Sequence, residues 1–239
     1  MCGRYTLTLD QEALQVALGV EGLVHSGPRY NIAPSQDVPA VVHQEGGNGG
    51  GRAAGATLRW GLVPFWADDP SIGNRLINAR CETAHEKPSF RNAFRRRRCL
   101  IPADGFYEWK KTTGGKRPFW IHLESKEPFT FAGLWERWSG SGDAEVLETF
   151  TILTTEANEF LRPIHPRMPV ILGADHREQW LDPDMPVDEL RRLLGPFPAG
   201  PLAAREVSTR VNSPTNDDPG CLEAPEGPEG GLPLFQEPD

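Results

Sequence analysis

The sequence predicts a single α+β domain built mainly on antiparallel β-sheet, and three observations lead to this prediction. Glycine (25 residues) and proline (23 residues) make up about a fifth of the 239-residue chain, which disfavours long helices and favours short strands joined by many turns. Hydrophobic residues make up 38% and include seven tryptophans, so a core can form and global disorder is excluded. No apolar run approaches the ~20 residues that span a bilayer, and no membrane partner is expected.

The middle of the chain contains short segments rich in β-branched and aromatic residues, separated by turn sequences. The segments predicted to be strands are residues 57–62, 106–109, 118–123, 129–134 and 148–153. Residues 110–116 (KKTTGGK) predict a hairpin loop with Gly114 and Gly115 at the turn. Residues 45–56 (EGGNGGGRAAGA) and 139–143 predict surface loops. The first is interpreted as a glycine-rich insertion, because it lacks the Lys-Ser/Thr ending of a phosphate-binding P-loop.

Several segments carry helix signals. Asp10 is predicted to cap a short helix that ends at Gly19. A second helix is predicted over residues 88–98, with Pro88 at its start, and Thr155 is predicted to cap a third that stops before Pro163. Two further short helices are predicted over residues 175–181 and 187–194.

The formal net charge of −8 hides an uneven distribution of charge along the chain. Residues 75–117 carry 12 Lys/Arg against 4 Asp/Glu, a local charge of +8, whereas residues 217–239 carry seven acidic residues and no basic one. A concentrated basic segment is either a solvated face or a surface for a polyanion. We therefore predict a folded domain over residues 1–220, with the 45–56 loop as an insertion, and an acidic, disordered tail over residues 221–239.

The four cysteines have no disulfide framework spacing, and in a cytoplasmic protein they are expected to be reduced. They are Cys2, Cys81, Cys99 and Cys221. Cys81 and His85 have the spacing of half a zinc site, but no second pair completes the four ligands that a closed site needs. No metal and no cofactor are predicted.

Cys2 is the first candidate for chemistry, because removal of Met1 before a small residue would give an N-terminal cysteine. Its α-amine and thiol, with reference pKa values of about 8 and 8.5, form a 1,2-aminothiol. This group condenses with an aldehyde to an imine, which the thiol then closes into a five-membered thiazolidine. Class II glutamine amidotransferases also begin Met-Cys-Gly and use the thiol as nucleophile. From the first three residues alone, both chemistries and an arbitrary cysteine remain open.

Three further segments contain residues suited to acid–base or phosphate chemistry. Residues 76–80 (LINAR) supply Asn78 and Arg80. In residues 102–109 (PADGFYEW), Glu108 stands between two aromatic residues, which favours a raised pKa and a general-acid role. Residues 164–170 (IHPRMPV) place His165 and Arg167 in a proline-constrained loop. Each of these residues taken alone could instead be a surface side chain.

Taken together and in order, the motifs resemble one family. They are Cys-Gly-Arg-Tyr at positions 2–5, YNIAPSQ at 30–36, RWGLVPFW at 59–66, residues 77–80, KPSFRNAFRRRR at 87–98 with Cys99, residues 102–109 and residues 165–170. The chain is similar to the SOS-response-associated peptidase (SRAP) family, which includes proteins that crosslink to abasic sites in single-stranded DNA. The resemblance runs from Cys2 to about Asn216.

The resemblance implies a compact α+β domain with a barrel-like antiparallel core and a positive groove that leads to the N-terminal cysteine. It makes Cys2 the nucleophile, flanked by Asn78 and Glu108, with His165 completing the catalytic set. The implied DNA contacts are Arg4, Arg80, Arg167, Trp66, Pro39 and Arg91. The implied partner is single-stranded DNA containing abasic sites, bound by a monomer that is cytoplasmic and associates with the nucleoid on DNA.

The implied activity is a self-crosslinking reaction that leaves a thiazolidine between Cys2 and the lesion, with weak abasic-site lyase activity as a side reaction. Two alternatives stay open, namely a thiol peptidase that removes its own Met1 and a non-covalent reader of modified bases. One position departs from the family pattern. Pro166 follows the motif histidine where the family usually has an acidic residue that could orient or tune it, which leaves the role of His165 open.

Overall fold

The computed structural model describes residues 2–45, 51–140 and 146–225, which form two β-sheets and five short α-helices. The strands are β1 (Tyr5–Leu7), β2 (Arg29–Ile32), β3 (Asp37–Glu45), β4 (Gly51–Trp60), β5 (Asn78–Arg80), β6 (Arg98–Ala103), β7 (Gly105–Thr112), β8 (Gly115–Leu123), β9 (Phe129–Ser139), β10 (Val146–Glu156), β11 (Arg167–Pro169), β12 (Ile171–Leu172) and β13 (Leu202–Glu206). The helices are α1 (Gln11–Leu18), α2 (Cys81–Ala84), α3 (Arg91–Arg96), α4 (Ala174–Leu181) and α5 (Val187–Arg192).

The larger sheet closes on itself into a five-stranded barrel in the order β4-β3-β6-β9-β10. Strand β10 closes it, because it pairs antiparallel with β9 along one edge and parallel with β4 along the other. Antiparallel pairing dominates both sheets, and β10 makes the two parallel pairings, with β4 and β5. The predicted fold class, an α+β domain with a barrel-like antiparallel core, is confirmed.

Aromatic side chains fill the interior and join the barrel to the smaller sheet, whose order is β13-β8-β7-β1-β2. Trp60 and Phe150 stack inside the barrel with ring centroids 6.1 Å apart. The ring centroid of Tyr5, on β1, lies 5.4 Å from that of Trp60 and 5.7 Å from that of Phe131, and the Tyr5 side chain is fully buried. The packing of Tyr5 therefore attaches the N-terminal strand to the barrel core.

Most of the predicted elements are observed. Helix α1 begins after Asp10, whose side chain accepts a hydrogen bond from Ala13 N, and ends at Gly19 with φ at 64°. Strands β7, β8, β9 and β10 include the predicted segments. The hairpin predicted at residues 110–116 is present, but its loop is only the two-residue turn 113–114, because β7 runs to Thr112 and β8 begins at Gly115. Helices α4 and α5 lie within one or two residues of their predicted positions.

The glycine-rich segment is partly a strand, which corrects the loop prediction. Residues 51–56 belong to β4 and pair along β3 from Glu45↔Gly51 to Ala40↔Ala56, while residues 46–50 lie outside the described residues. A Cβ at Gly55 would lie 2.4 Å from the main chain of Gly22. Glycine at this position permits the close approach of a loop to the barrel, which turn statistics cannot reveal.

Two predicted helices are also corrected. The segment after Thr155 is not helical: β10 continues to Glu156, and residues 159–164 form turns in which Leu161 N donates to the Asn158 side chain. The second predicted helix is shorter than expected, because α3 ends at Arg96 and Arg98 begins β6. Strand pairing takes Thr155 and Glu156 into β10 and Arg98 into β6, which overrides the helix signals at these residues. Ser139, at the start of the second predicted loop, ends β9, and residues 141–143 are not described.

The C-terminal part of the described chain packs against the smaller sheet. Cys221 is buried with Tyr107, Val207 and Val211, so ordered packing continues past Gly220. The domain boundary near residue 220 stays a prediction, and residues 226–239 of the predicted tail lie outside the described residues. The four cysteines are free and buried. No helix in the described part of the chain is long and apolar enough to span a membrane.

Gly105, where β7 meets β1, should not tolerate a side chain. A Cβ there would lie 2.1 Å from Trp120 Nε1, so Gly105→Ala forces the indole to move and is expected to cost about 1–3 kcal/mol of unfolding free energy. Chemical denaturation measures the change. Gly114→Ala is the matched control, since a Cβ at Gly114 meets nothing within 4 Å. Equal stability of the two variants would contradict the packing argument.

Candidate active site at the N-terminal cysteine

Pairing between β1 and β7 brings the start of the chain to Glu108. Tyr5 pairs with Phe106, and Tyr107 N donates to Arg4 O at 3.0 Å, so the antiparallel path carries Cys2 along the strand that bears Glu108. Cys2 is fully buried, and its thiol points to Arg4 O at 3.8 Å. Burial, and next the charge of Glu108, raise the pKa of the Cys2 thiol, which keeps it protonated at neutral pH.

Asn78 holds Cys2 from the side of the barrel. It lies on β5, which pairs with β10 at Ile152, and its Nδ2 donates to Cys2 O at 2.8 Å. Asn78 Oδ1 is buried and has no hydrogen-bond partner among the described residues. Since a buried amide oxygen without a partner is costly, it is an acceptor available to a group that binds beside Cys2.

Glu108 is a buried carboxyl group next to an imidazole. It is 3% exposed, and burial raises the pKa of its carboxyl, an effect that the nearby His165 partly offsets. His165 Nδ1 lies 4.0 Å from Glu108 Oε1. A carboxyl group that binds its proton more tightly than usual can act as a general acid near neutral pH.

The backbone of Arg167 orients His165, which directly follows the turns at residues 159–164 and whose N donates to Leu161 O at 2.9 Å. His165 Nδ1 lies 3.1 Å from Arg167 N and 3.0 Å from Arg167 O. An unprotonated Nδ1 accepts from the N–H, and a protonated Nδ1 donates to the carbonyl, so both forms find a partner. Main-chain groups therefore orient the ring although Pro166 stands where an acidic residue was expected.

The structure thus brings together the four residues predicted to be catalytic, Cys2, Asn78, Glu108 and His165, at the junction of the barrel and the smaller sheet. The sequence profile of SRAP, described as SOS response associated peptidase, matches residues 1–214. The chain belongs to the SRAP family.

Relatives of known name support this membership. The chain is 44% identical over 229 residues to the abasic site processing protein YoaM of Bacillus subtilis, covering 94% of this chain and 98% of that protein. It is 36% identical over 222 residues to the abasic site processing protein HMCES of Gallus gallus, covering 82% of this chain and 66% of that protein. A crystal structure of a protein from Bacteroides thetaiotaomicron matches with a TM-score of 0.80 at 27% identity, over 92% of this chain and 98% of that chain.

Several residues that the SRAP resemblance assigned to DNA are on the surface. Arg80 is exposed on β5, and Arg91 is exposed at the start of α3. Trp66 is 48% exposed, and its neighbour Phe65, which the sequence analysis did not single out, is 54% exposed. Trp138 Nε1 donates to Ala67 O at 2.7 Å and anchors the chain just after the pair. The sequence feature that could have identified Phe65 is its position beside Trp66 at the end of the RWGLVPFW motif.

Two of the predicted DNA contacts are placed differently. Pro39 is buried in β3 opposite Thr57 in the absence of DNA, so its contact with a base stays a prediction. Arg4 donates to Asn31 Oδ1 at 2.9 Å and to Val211 O at 2.8 Å. It therefore holds the C-terminal segment against the smaller sheet, and its contact with DNA stays a prediction.

Arg167 and the arginine run also have internal partners. The Arg167 guanidinium pairs with both carboxylate oxygens of Glu82. In the run 95–98, Arg95 and Arg96 are exposed, whereas Arg97 pairs with Glu136. Arg98 is buried and donates to the main-chain carbonyls of Phe94, Arg95, Trp180 and Asp182. Part of the local positive charge is therefore structural.

Replacing Glu108 tests whether its buried carboxyl group destabilises the folded protein. Because the folded state raises the pKa of Glu108, its ionised form costs stability, and that cost grows as the pH rises through the folded-state pKa. Glu108→Gln is therefore expected to raise the melting temperature at pH 7, with a gain that disappears below pH ~4, where the wild-type carboxyl is protonated. Thermal unfolding across this pH range measures the difference. A lower melting temperature at pH 7 would show that partners of the carboxylate outweigh its desolvation.

Proposed function

We propose that this protein processes abasic sites in DNA by forming a covalent crosslink through Cys2, after removal of Met1. One observation carries the proposal: the Cys2 thiol lies in a site with a buried carboxyl group, an imidazole and an amide that holds the Cys2 carbonyl. Two relatives at 44% and 36% identity are named abasic site processing proteins. While Met1 is attached, the nitrogen of Cys2 is part of a peptide bond, and the reaction needs it as a free amine.

The chemistry joins an aldehyde to a 1,2-aminothiol with the loss of one water molecule. The abasic deoxyribose opens from its hemiacetal to the C1′ aldehyde. The Cys2 amine adds to C1′, the carbinolamine oxygen leaves as water, and an imine remains. The thiol sulfur then adds to C1′ of the protonated imine and gives its proton to the conjugate base of the acid that released the water, which closes the thiazolidine. The second addition is intramolecular and has the advantage of proximity.

Each site residue has a role in this sequence. Protonated Glu108 is the acid that protonates the departing oxygen, for which its raised pKa suits it. Its conjugate base, with His165 4.0 Å away, then takes the thiol proton, which the buried thiol retains until attack. Asn78 fixes the Cys2 carbonyl, and with it the direction of the amine and thiol.

DNA binding is proposed to be independent of sequence and to prefer single strands. Exposed Arg80 and Arg91 contact phosphates, and the partly buried guanidinium of Arg167 is a third proposed phosphate contact. The exposed aromatic pair, Phe65 and Trp66, offers a stacking surface for unpaired bases. A thiazolidine formed on such a strand shields the lesion, and an imine that fails to close would permit strand cleavage by β-elimination. The protein is proposed to act as a monomer.

A thiol peptidase is a second candidate, since the family's description contains the word peptidase. In that reaction the Cys2 thiol attacks a peptide carbonyl, and abasic DNA plays no part. Removal of Met1 by the protein itself would also belong to this activity. Intact-mass measurement after expression in cells that lack methionine aminopeptidase activity decides whether the protein performs the removal.

Replacing Cys2 tests the crosslink. Wild-type protein mixed with single-stranded DNA whose uracil has been excised should give a heat-stable shifted band, and Cys2→Ala should give none. Cys2→Ser keeps the amine, so it should form an imine that borohydride traps but that heat otherwise reverses. Denaturing gels measure both products. A heat-stable band with Cys2→Ala would exclude the thiazolidine, and base-dependent binding without any crosslink would favour a non-covalent reader.

Removing an exposed arginine tests the phosphate contacts. Arg80→Ala is expected to weaken single-stranded DNA binding by a similar factor for all sequences, and to reduce the slope of log K against log salt by about 0.7. Fluorescence anisotropy at several salt concentrations measures this slope. Lys126→Ala, at an exposed turn after β8, is the control with the same loss of charge. An unchanged slope for Arg80→Ala would remove Arg80 from the DNA surface.

A further inference from the structure

Glu82 is not among the predicted site residues, but it lies close to them in the fold. It stands in the first turn of α2, four residues after Asn78, because β5 leads directly into that helix. Its side chain is 44% exposed, and its carboxylate receives hydrogen bonds from both terminal nitrogens of Arg167, with Nη2 to Oε2 at 2.9 Å. These bonds lower the pKa of Glu82 and keep it ionised.

Arg167 is held on a second side by β10. Its Nη2 donates to Thr154 O at 2.6 Å and approaches Thr154 Oγ1 at 3.3 Å, and its side chain is 16% exposed. The guanidinium is therefore fixed between a carboxylate on α2 and a carbonyl on β10. A bidentate ion pair between an arginine and a carboxylate restricts the orientation of the guanidinium as well as stabilising it.

The main chain of Arg167 is the part that orients the imidazole of His165, at 3.0–3.1 Å from Nδ1. Pro166 has no N–H, so the Arg167 N–H is the first main-chain donor after the histidine. Strand β11, which begins at Arg167, has three residues and pairs with β10. A strand this short is weakly held by its own ladder, and the clamped Arg167 side chain adds a second attachment.

The ion pair between Glu82 and Arg167 also connects the two sides of the site. Thr154 pairs with Arg80 of β5 on one edge of β10 and with Pro169 of β11 on the other. Strand β5 carries Asn78, and β11 follows His165. The Glu82–Arg167 pair thus bridges, next to β10, the two segments that supply these site residues.

We propose that Glu82 is a positioning residue: by holding the Arg167 side chain it fixes the Arg167 main chain and, through it, the ring of His165. The kinetic part of this inference rests on the proposed crosslinking function, whereas the orientation of the ring does not. A competing explanation is that Glu82 occupies the guanidinium in place of a DNA phosphate, in which case it acts on affinity alone.

The test compares Glu82→Ala and Glu82→Gln in the full chain. Glu189→Gln is the matched control, since Glu189 is 49% exposed and pairs with Arg192 on α5. The first readout is the nitrogen NMR signature of the His165 ring in DNA-free protein, assigned with His165→Ala. We expect the ring nitrogen signals to shift in Glu82→Ala, to shift less in Glu82→Gln, and to stay unchanged in the control.

The second readout is the rate of crosslinking to abasic single-stranded DNA at saturating protein. Glu82→Ala is expected to slow it by on the order of tenfold, because a misplaced catalytic group loses its proximity. In a His165→Ala background, the same substitution should cause no further loss. Glu82→Gln retains the shape of the side chain and one acceptor for Arg167, so it should fold and be slowed less.

The outcomes separate the two explanations. If Glu82→Ala leaves the NMR signals of the His165 ring unchanged, the positioning role is overturned. If the signals are unchanged and the variant binds DNA more tightly, Glu82 competes with a DNA phosphate for Arg167. A further loss of rate in the His165→Ala background also overturns the positioning role, because Glu82 would then act by another route. If the ring signature changes but wild-type protein forms no crosslink, the positioning role stands and the proposed function fails.

Discussion

The site depends on the pairing of β1 with β7, because this pairing fixes a chain terminus that would otherwise be mobile. Tyr5 supports it by packing into the barrel against Trp60 and Phe131. The strand register then carries Cys2 to the strand of Glu108. A residue near the end of a chain keeps a defined position when the chain behind it is ordered, and here the hydrophobic core supplies that order.

Cys2 and Glu108 are two titratable groups in a buried place where a charge is costly. Glu108 is almost completely buried, and burial raises its pKa, while the same burial keeps the thiol protonated. Both groups thus bind their protons more tightly than the same groups in water.

The positive segment of the chain serves two purposes. Arg80, Arg91, Arg95 and Arg96 are exposed and available to a polyanion. Arg97 and Arg98 are used within the protein, one in an ion pair with Glu136 and the other in bonds to carbonyls. A count of charges along the sequence cannot separate these uses, because burial and partners are set by residues distant in the chain.

The sequence by itself determined the fold class, the approximate positions of five of the thirteen described strands, the cap of α1 at Asp10 and the four candidate residues that the fold brings together, because local patterns and ordered motifs carry that information. Tertiary structure decided the rest. It made residues 51–56 a strand through pairing with β3, kept residues after Thr155 out of a helix, and buried Pro39 in the barrel. It also tied Arg167 to Glu82, 85 residues away. These outcomes depend on pairing and burial between distant segments, which no local pattern encodes.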